Sequence, residues 1–306
     1  MSMYLPMYYL DSKGLSPGLF AIGFALARLV DPLSGPLIGW LSDNHTHTSV
    51  GRRYPWIAAG ALINAAALIA LFCPPDAVNG DLLILWLTFF NTIYFVSMAM
   101  YWIPYNALAG EYTQDYDERT NILAWREIFA IPGTLHGLAM PPILSTVLSD
   151  DLMPHKWTIY AGSLAFITVV TFFTCMIGLP PPPSAENDDG SNSQSTAELI
   201  PAIHSLSCNR PFCILVPVFF LCTLGVATLG TMLPFYVRYV LSPADPQQWL
   251  GYMFLVMMVA YIPAIPLITW MSQVLDKLAT YYILFSISLT AFLFCLVYDK
   301  GATLPL

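Results

Sequence analysis

The sequence contains little charge: only 10% of its 306 residues are Asp, Glu, Lys or Arg, whereas 57% are hydrophobic. A soluble domain has roughly 25% charged residues, so the composition excludes a soluble fold. The formal net charge of −8 leaves no basic excess, which excludes nucleic acid as a partner. The chain also lacks the alternating segments of about ten residues that form a membrane β-barrel.

Two further absences bear on chemistry. No two of the six cysteines form a Cys-X-X-Cys pair, and most lie in or beside apolar segments, which is typical of small buried hydrophobic side chains rather than of disulfides or metal ligands. The sequence offers no set of nucleophile, base and oxyanion donors and no metal-spaced cluster. We therefore expect no enzymatic activity, no cofactor and no resident metal other than a coupling ion.

What the chain does contain is a series of apolar segments, each of about 18 residues or more, the length of a membrane-spanning helix. They predict an all-α, multi-pass protein embedded in a lipid bilayer, with about eight complete spans. The predicted spans are residues 17–41, 56–72, 82–107, 122–147, 157–179, 211–236, 249–271 and 279–298.

A polar stretch interrupts this series once. Four consecutive prolines at 180–183 are followed by a run rich in Ser, Asn and Asp. Such a composition cannot form a packed core, so it predicts a flexible linker. We place an N-terminal helical half at 1–183, the linker at 184–209 and a partial C-terminal half at 210–306.

The two halves share landmarks in the same order. The motif Leu5-Pro6-Met7-Tyr8 begins about 35 positions before Trp40, and Leu233-Pro234-Phe235-Tyr236 begins about 37 positions before Trp270. Internal symmetry of this kind is typical of transporters. We therefore expect two pseudo-symmetric six-helix halves, of which the chain contains the end of helix 1 and helices 2 to 9.

Charged residues inside the apolar segments are candidates for function. Arg28 and Asp31 are three residues apart, so they share a helix face; they either serve a wet cavity or neutralise each other as a structural pair. Arg126 is either a cation at the membrane edge or a ligand-facing cation. His136 is interpreted as a hydrogen-bonded interior histidine in preference to a proton relay. Two arginines in the short loop after the first span favour a cytoplasmic location for that loop and the linker.

Four segments resemble a known family. Residues 31–56 (DPLSGPLIGWLSDNHTHTSVGRRYPW), 103–129 (IPYNALAGEYTQDYDERTNILAWREIF), 209–212 (NRPF) and 233–241 (LPFYVRYVL) are similar to signatures of the glycoside-pentoside-hexuronide:cation symporters, the group of the melibiose carrier within the major facilitator superfamily. The resemblance implies that superfamily's fold and uptake of a small solute, a carbohydrate, with sodium or a proton by alternating access. It also implies a monomer in a bacterial-type inner (plasma) membrane.

The resemblance assigns a cation site with one departure. Asp31 aligns with the first of two acidic residues that hold the coupling cation, but the second position is Gly35. Sodium favours several hard oxygen ligands. Ser34 or a backbone carbonyl is therefore expected to substitute, unless a proton couples through Asp31 alone or coupling is lost. No metal is predicted beyond a possible sodium ion at Asp31.

The resemblance also points to solute and gating residues. Trp102 takes the position of the family's sugar-binding acid and offers a face for stacking on a sugar ring, and Arg126 aligns with an arginine of the central cavity. The predicted solute ligands are Arg28, Trp102, Tyr105, Asn106 and Arg126. The predicted gating turn, with a conformational role, comprises Asp43, Arg52 and Arg53.

Three functions stay open. The first is a cation-coupled symporter of a sugar or related solute. The second is a symporter of a lysolipid-like anionic amphiphile, because Trp102 and Arg126 suit an apolar tail and an anionic head. The third is a non-transporting membrane sensor or degenerate fragment, which Gly35 favours.

Overall fold

The computed structural model describes residues 4–44, 53–113, 115–149, 151–178, 208–237 and 246–297, and these contain helices without any strand. The α-helices are α1 (Tyr4–Met7), α2 (Pro17–Asp43), α3 (Tyr54–Phe72), α4 (Asp81–Tyr112), α5 (Tyr116–Val147), α6 (Lys156–Gly178), α7 (Arg210–Tyr236), α8 (Pro246–Val274) and α9 (Lys277–Val297). A π-helical turn at Tyr8–Ser12 follows α1, and a 3₁₀ turn at Met153–His155 precedes α6.

Seven of the described helices, α2 to α8, are long and apolar enough to cross a membrane. The prediction of an all-α, multi-pass membrane protein is confirmed. The eighth predicted span is the 21-residue helix α9, which is not among those seven. Residues 179–207 lie outside the described residues, and they include all of the predicted linker, 184–209, except its last two positions; the boundaries of the two halves therefore stay a prediction.

Side-chain caps fix where two of the spans begin. The Ser16 hydroxyl accepts a hydrogen bond from the Leu19 amide at 3.4 Å, at the start of α2. Asp115 accepts from the amides of Asp117 and Glu118 at 2.9 and 2.8 Å, at the start of α5. These bonds satisfy amides that have no partner inside the helix, and the acidic first turn of α5 also complements the helix dipole.

The helix α4 is the centre of the N-terminal half, since it packs against both α2 and α3. The helices α3 and α4 are in tight contact at Gly60, where an added Cβ would lie 2.7 Å from the backbone nitrogen of Tyr101 and 2.9 Å from Cβ of Met100. Small residues permit such close contact between membrane helices.

An aromatic cluster closes the same half at the membrane side opposite the linker. Tyr9 is fully buried and its hydroxyl donates to the Leu71 carbonyl at 2.9 Å. The ring of Phe72 stacks on Trp157 at 5.9 Å between centroids, and the buried Tyr160 meets Phe72 edge-on. The segment after α1 is thereby held against α3 and α6.

The two halves touch through α5 and α8. Near the linker-side ends of these helices, the Gln273 side chain donates to Oδ1 of Asn121 at 3.1 Å. The Lys277 ammonium, at the start of α9, donates to the Tyr116 carbonyl at 3.1 Å. These polar contacts close the linker-side end of the α5–α8 contact.

The repeated sequence landmarks occupy matching positions. Leu5 lies in α1, which ends at Met7, and Leu233 lies in the last turn of α7. Trp40 and Trp270 lie in the last turns of α2 and α8. This placement agrees with two pseudo-symmetric halves.

Candidate functional site

A cavity of about 380 Å³ lies between α2 and α4. We name it the α2–α4 cavity; its lining residues are Arg28, Asp31, Gly35, Tyr94, Phe95, Met98, Ala99, Trp102 and Ile103. Trp102 lies ten residues before the end of α4, which corresponds to about 15 Å of helix. The structure therefore brings three predicted site residues, one acidic, one basic and one aromatic, together inside the span-forming helices α2 and α4.

Arg28 and Asp31 form an ion pair inside this cavity. Nη1 of Arg28 donates to Oδ2 of Asp31 at 3.2 Å, and 48% and 39% of the two side chains remain exposed. The same guanidinium lies 4.1 Å from the centroid of the Phe95 ring and 5.7 Å from that of Phe24, which is cation–π geometry. The two interpretations of this pair thus coexist: the residues neutralise each other and also line a cavity.

The surroundings of Asp31 are poor in further oxygen ligands. The Ser34 hydroxyl donates to the Asp31 backbone carbonyl at 2.9 Å, and Ser34 is buried and absent from the cavity lining. A Cβ added at Gly35 would meet only Cδ1 of Ile103, at 3.7 Å, which is an ordinary contact. The described residues include no group of three or more His, Cys, Asp or Glu able to hold a metal ion.

Arg126 lies beside the same cavity, in contact with α4. Its Nη1 donates to Oδ1 of Asn106, its Nη2 donates to Oε1 of Glu127 at 2.7 Å, and its guanidinium lies 5.5 Å from the Trp102 ring centroid. Asn106 in turn donates to the Trp102 carbonyl at 2.7 Å. Trp102 therefore joins the α2–α4 cavity to the arginine, which lies ten residues after the start of α5.

Sequence analysis missed Glu127. Its carboxylate pairs with Arg126 and lines a second cavity of about 230 Å³ between α5 and α8. The other lining residues are Ala130, Ile131, Thr134 and Tyr261. The spacing of Glu127, Ala130 and Thr134 places them on one helix face, and this was the available signal.

Tyr105, another predicted solute ligand, packs on the α3 side of α4. It packs against a cluster of Tyr54, Ile57, Ala61, Leu108 and Phe172 from α3, α4 and α6. Its side chain is absent from the lining of both cavities, so its assignment as a solute ligand stays a prediction.

The predicted gating turn contains a buried arginine. Arg53 donates to Oδ1 of Asp43 from Nη2 at 2.7 Å and from Nε at 3.2 Å. Its Nη1 also lies 3.1 Å from Glu111 at the end of α4, with 10% and 14% of the two side chains exposed. Glu111 was not predicted, and Arg52 lies outside the described residues.

His136 has a hydrogen-bond partner in the neighbouring helix. Its Nε2 lies 3.1 Å from the Ser163 hydroxyl of α6. The Ser163 hydroxyl donates to the Tyr160 carbonyl at 2.8 Å. This arrangement agrees with the interpretation as an interior histidine.

The family model for MFS/sugar transport proteins matches residues 1–306. The chain belongs to this family. The membership confirms the resemblance seen in the sequence and the prediction of a transport protein rather than an enzyme. With seven helices able to span a membrane among its described residues, the chain is a multi-pass membrane protein.

The chain is similar in sequence to several curated proteins. The chain is 27% identical over 304 residues to the uncharacterized symporter YnaJ of Bacillus subtilis, covering 96% of this chain and 62% of the relative. It is 24% identical over 243 residues to the isoprimeverose transporter of Lactiplantibacillus pentosus, covering 78% and 49%. It is 26% identical over 181 residues to the sodium-dependent lysophosphatidylcholine symporter 1 of Gallus gallus, covering 54% and 34%. The matches thus span 34–62% of the length of these relatives.

Proposed function

We propose that this chain takes part in the symport of a sugar or related small solute with sodium or a proton, by alternating access. One observation carries the proposal: in a member of the sugar transport family, the α2–α4 cavity brings Asp31, Arg28 and Trp102 together beside Arg126. Ionisable groups inside membrane-spanning helices are costly and mark solute or ion pathways by default.

In this proposal Asp31 holds the coupling cation. A proton needs only the one carboxylate, whereas sodium needs more oxygen ligands, from Ser34, from backbone carbonyls or from the solute itself. The Arg28 guanidinium donates a hydrogen bond to Oδ2 of Asp31, so the coupling cation replaces Arg28 as the partner of that carboxylate. Coupling arises because cation and solute together favour a state that neither stabilises alone.

The solute is a neutral hydroxylated molecule. Both terminal nitrogens of Arg126 already donate to side chains of this chain, and the Glu127 carboxylate at 2.7 Å neutralises the guanidinium. An anionic head group must displace that carboxylate, whereas a sugar hydroxyl need not. The exposed Trp102 face supplies a stacking surface.

A lysolipid-like amphiphile is the second candidate. The chain has a relative named as a lysophosphatidylcholine symporter, and an apolar tail could lie on Trp102 with its phosphate near Arg126. This is the weaker candidate, because an anionic phosphate must displace the Glu127 carboxylate from Arg126.

A thermal-shift experiment on the purified chain in detergent separates these functions. Isoprimeverose, melibiose, glucuronate and lysophosphatidylcholine are each added with and without sodium, at two pH values. A ligand at a hundredfold excess over its Kd stabilises the folded state by about 2.7 kcal/mol, so binding raises the unfolding temperature.

The neutral glycosides are expected to stabilise the chain, more strongly with sodium or in acid, and Asp31→Asn is expected to remove that ion dependence. Stabilisation by lysophosphatidylcholine alone supports the second candidate. Stabilisation by none of the four contradicts both transport functions and favours a sensor.

A further inference from the structure

Two adjacent prolines, Pro141 and Pro142, lie inside α5, and the helix continues past them to Val147. Proline has no backbone N–H, so the carbonyls four residues earlier, those of Gly137 and Leu138, have no donor within the helix. Pro141 is fully buried, and a buried carbonyl without a donor is costly. The sequence therefore leaves two carbonyls inside α5 that need donors from elsewhere in the molecule.

Two tyrosines from other helices supply these donors. The Tyr160 hydroxyl of α6 donates to the Gly137 carbonyl at 2.9 Å, and the Tyr4 hydroxyl of α1 donates to the Leu138 carbonyl at 2.6 Å. Both tyrosine side chains are buried, Tyr160 completely. Each side-chain bond thus takes the place of one backbone bond that a proline removes.

The same turn of α5 has a third connection to α6. Nε2 of His136 lies 3.1 Å from the Ser163 hydroxyl. Residues 136–138 are therefore joined by side-chain hydrogen bonds to α1 and α6, which belong to the same half of the molecule. These bonds hold the outer part of α5, residues 136–147, on the membrane side opposite the linker.

The linker-side part of α5, residues 116–131, has a partner in the other half. It contacts α8, and Asn121 accepts a hydrogen bond from Gln273 at 3.1 Å. Asn121 lies 16 residues before Gly137, which is about 24 Å along the helix. A change of about 10° in the bend of α5 at the prolines displaces Asn121 by about 4 Å, enough to break its hydrogen bond.

A second pair of adjacent prolines has a different position in its helix. Pro74 and Pro75 follow the last residue of α3 and the turn after it, so they end that helix and cannot bend it. Around Pro141 and Pro142 the helix is continuous, and sharp bends of continuous helices are typical of proline. The two pairs therefore differ in their effect on the helix and offer a matched comparison.

We propose that Pro141 and Pro142, together with the hydroxyls of Tyr4 and Tyr160, form a pivot in α5. The tyrosines hold the outer part of the helix on α1 and α6, and the missing backbone bonds let the linker-side part, which carries Arg126, move relative to α8. Tyr4 and Tyr160 are positioning residues, because they act on Arg126 only through α5. The pivot is independent of the solute and of the coupling ion.

The first test is a pair of double-variant cycles, measured as unfolding in a denaturing detergent. Tyr160→Phe removes only the hydroxyl and is expected to raise the unfolding equilibrium constant about tenfold, because the buried Gly137 carbonyl loses its donor. In a Pro141→Ala background the restored N–H bonds that carbonyl, so Tyr160→Phe should raise the constant by no more than about threefold. Tyr4→Phe with Pro142→Ala is expected to show the same coupling.

The crossed pairs are the controls for these cycles. Tyr160→Phe with Pro142→Ala, and Tyr4→Phe with Pro141→Ala, combine each tyrosine with the proline that does not free its carbonyl, so their effects should be additive. Equal coupling in matched and crossed pairs, or no coupling in either, would overturn the inference. The two cycles are independent, so one decides if a variant of the other does not fold.

The second test measures amide hydrogen exchange of the purified chain at a distance from the prolines. Pro141→Ala with Pro142→Ala is expected to slow exchange about tenfold at residues 116–131, because a helix with all of its backbone bonds bends less and opens its contact with α8 more rarely. The control, Pro74→Ala with Pro75→Ala, should leave exchange at these residues unchanged.

Unchanged exchange at residues 116–131 in the variant of Pro141 and Pro142 would show that the prolines have a local, structural role and would overturn the pivot. Neither test involves a solute, so a failure of the pivot leaves the proposed symport intact, and a failure of solute binding leaves the pivot intact.

Discussion

The Asp31 carboxylate accepts a hydrogen bond from Arg28 at 3.2 Å, so the group assigned to the coupling cation already holds a cation that belongs to the chain. Arg28→Gln removes this competitor. We expect the variant to bind the coupling cation up to about fivefold more tightly, since exposed ion pairs contribute about 1 kcal/mol or less. The midpoint of the ion dependence, measured by thermal shift, should move to lower sodium or lower proton concentration; an unchanged midpoint would show that Arg28 and the cation do not compete.

Gly35 lies one turn after Asp31 and lines the same cavity, with space for a side chain. Gly35→Asp is expected to make stabilisation by sodium at least tenfold more sensitive, because two carboxylates supply more hard oxygen ligands. Gly39→Asp is the control: its Cβ would also meet only Ile103, at 3.8 Å, but Gly39 does not line the cavity. Equal sodium responses in the two variants would contradict the assignment of the cation site to Asp31.

Arg53 connects Asp43 to Glu111 while almost fully buried. Arg53→Gln removes the buried charge that pairs with the carboxylates of Asp43 and Glu111, so the free energy of unfolding should fall by about 1.5–3 kcal/mol. Arg119→Gln, which changes an exposed arginine at the same side of the membrane, should change it by less than about 0.5 kcal/mol. Unfolding in a denaturing detergent measures both.

The Arg53 prediction has an internal control. In the double variant Arg53→Gln with Glu111→Gln, the buried carboxylate is gone, so part of the lost stability should return. Strictly additive losses would show that the pair contributes nothing.

Gly60 lets α3 pack tightly against α4. Gly60→Ala forces a methyl group against the backbone of Tyr101, so we expect a loss of about 1–3 kcal/mol in the free energy of unfolding. Gly162→Ala in α6, where an added Cβ meets nothing within 4 Å, should be neutral or stabilising by up to about 1 kcal/mol. A larger loss in Gly162→Ala than in Gly60→Ala would show that the helices are packed differently.

The sequence alone predicted the membrane spans and showed which charged residues share one face of α2. The lengths of the apolar segments located seven membrane helices, and the three-residue spacing of Arg28 and Asp31 placed them side by side. The family resemblance then linked Asp31 to Trp102 across two helices. The first prediction depends on the spacing of residues along one helix, and the second depends on motifs that align with those of the family.

Partners supplied by a distant helix were not predictable in this way. Glu111 meets Arg53 from the end of α4, and Tyr261 meets Glu127 from the other half of the chain. Tyr105 lies only three residues after Trp102 and was predicted as a solute ligand, but Trp102 lines the α2–α4 cavity and Tyr105 does not. Packing decides which face of α4 borders the cavity and which face borders α3. Because α4 is apolar all round, its sequence does not predict this orientation.

The hydrogen bonds that join Asn121 to Gln273 and Tyr116 to Lys277 determine how readily the linker-side end can open. A neutral hydrogen bond contributes about 0.5–1.5 kcal/mol net, and one from a charged donor about 1.5–3 kcal/mol. Two such bonds together contribute only a few kcal/mol, which is the size of the energy difference that separates the two conformations of a protein whose minor state is populated at about 0.1–10%. A bound solute or ion can therefore offset the contribution of these two hydrogen bonds with the energy of one or two contacts.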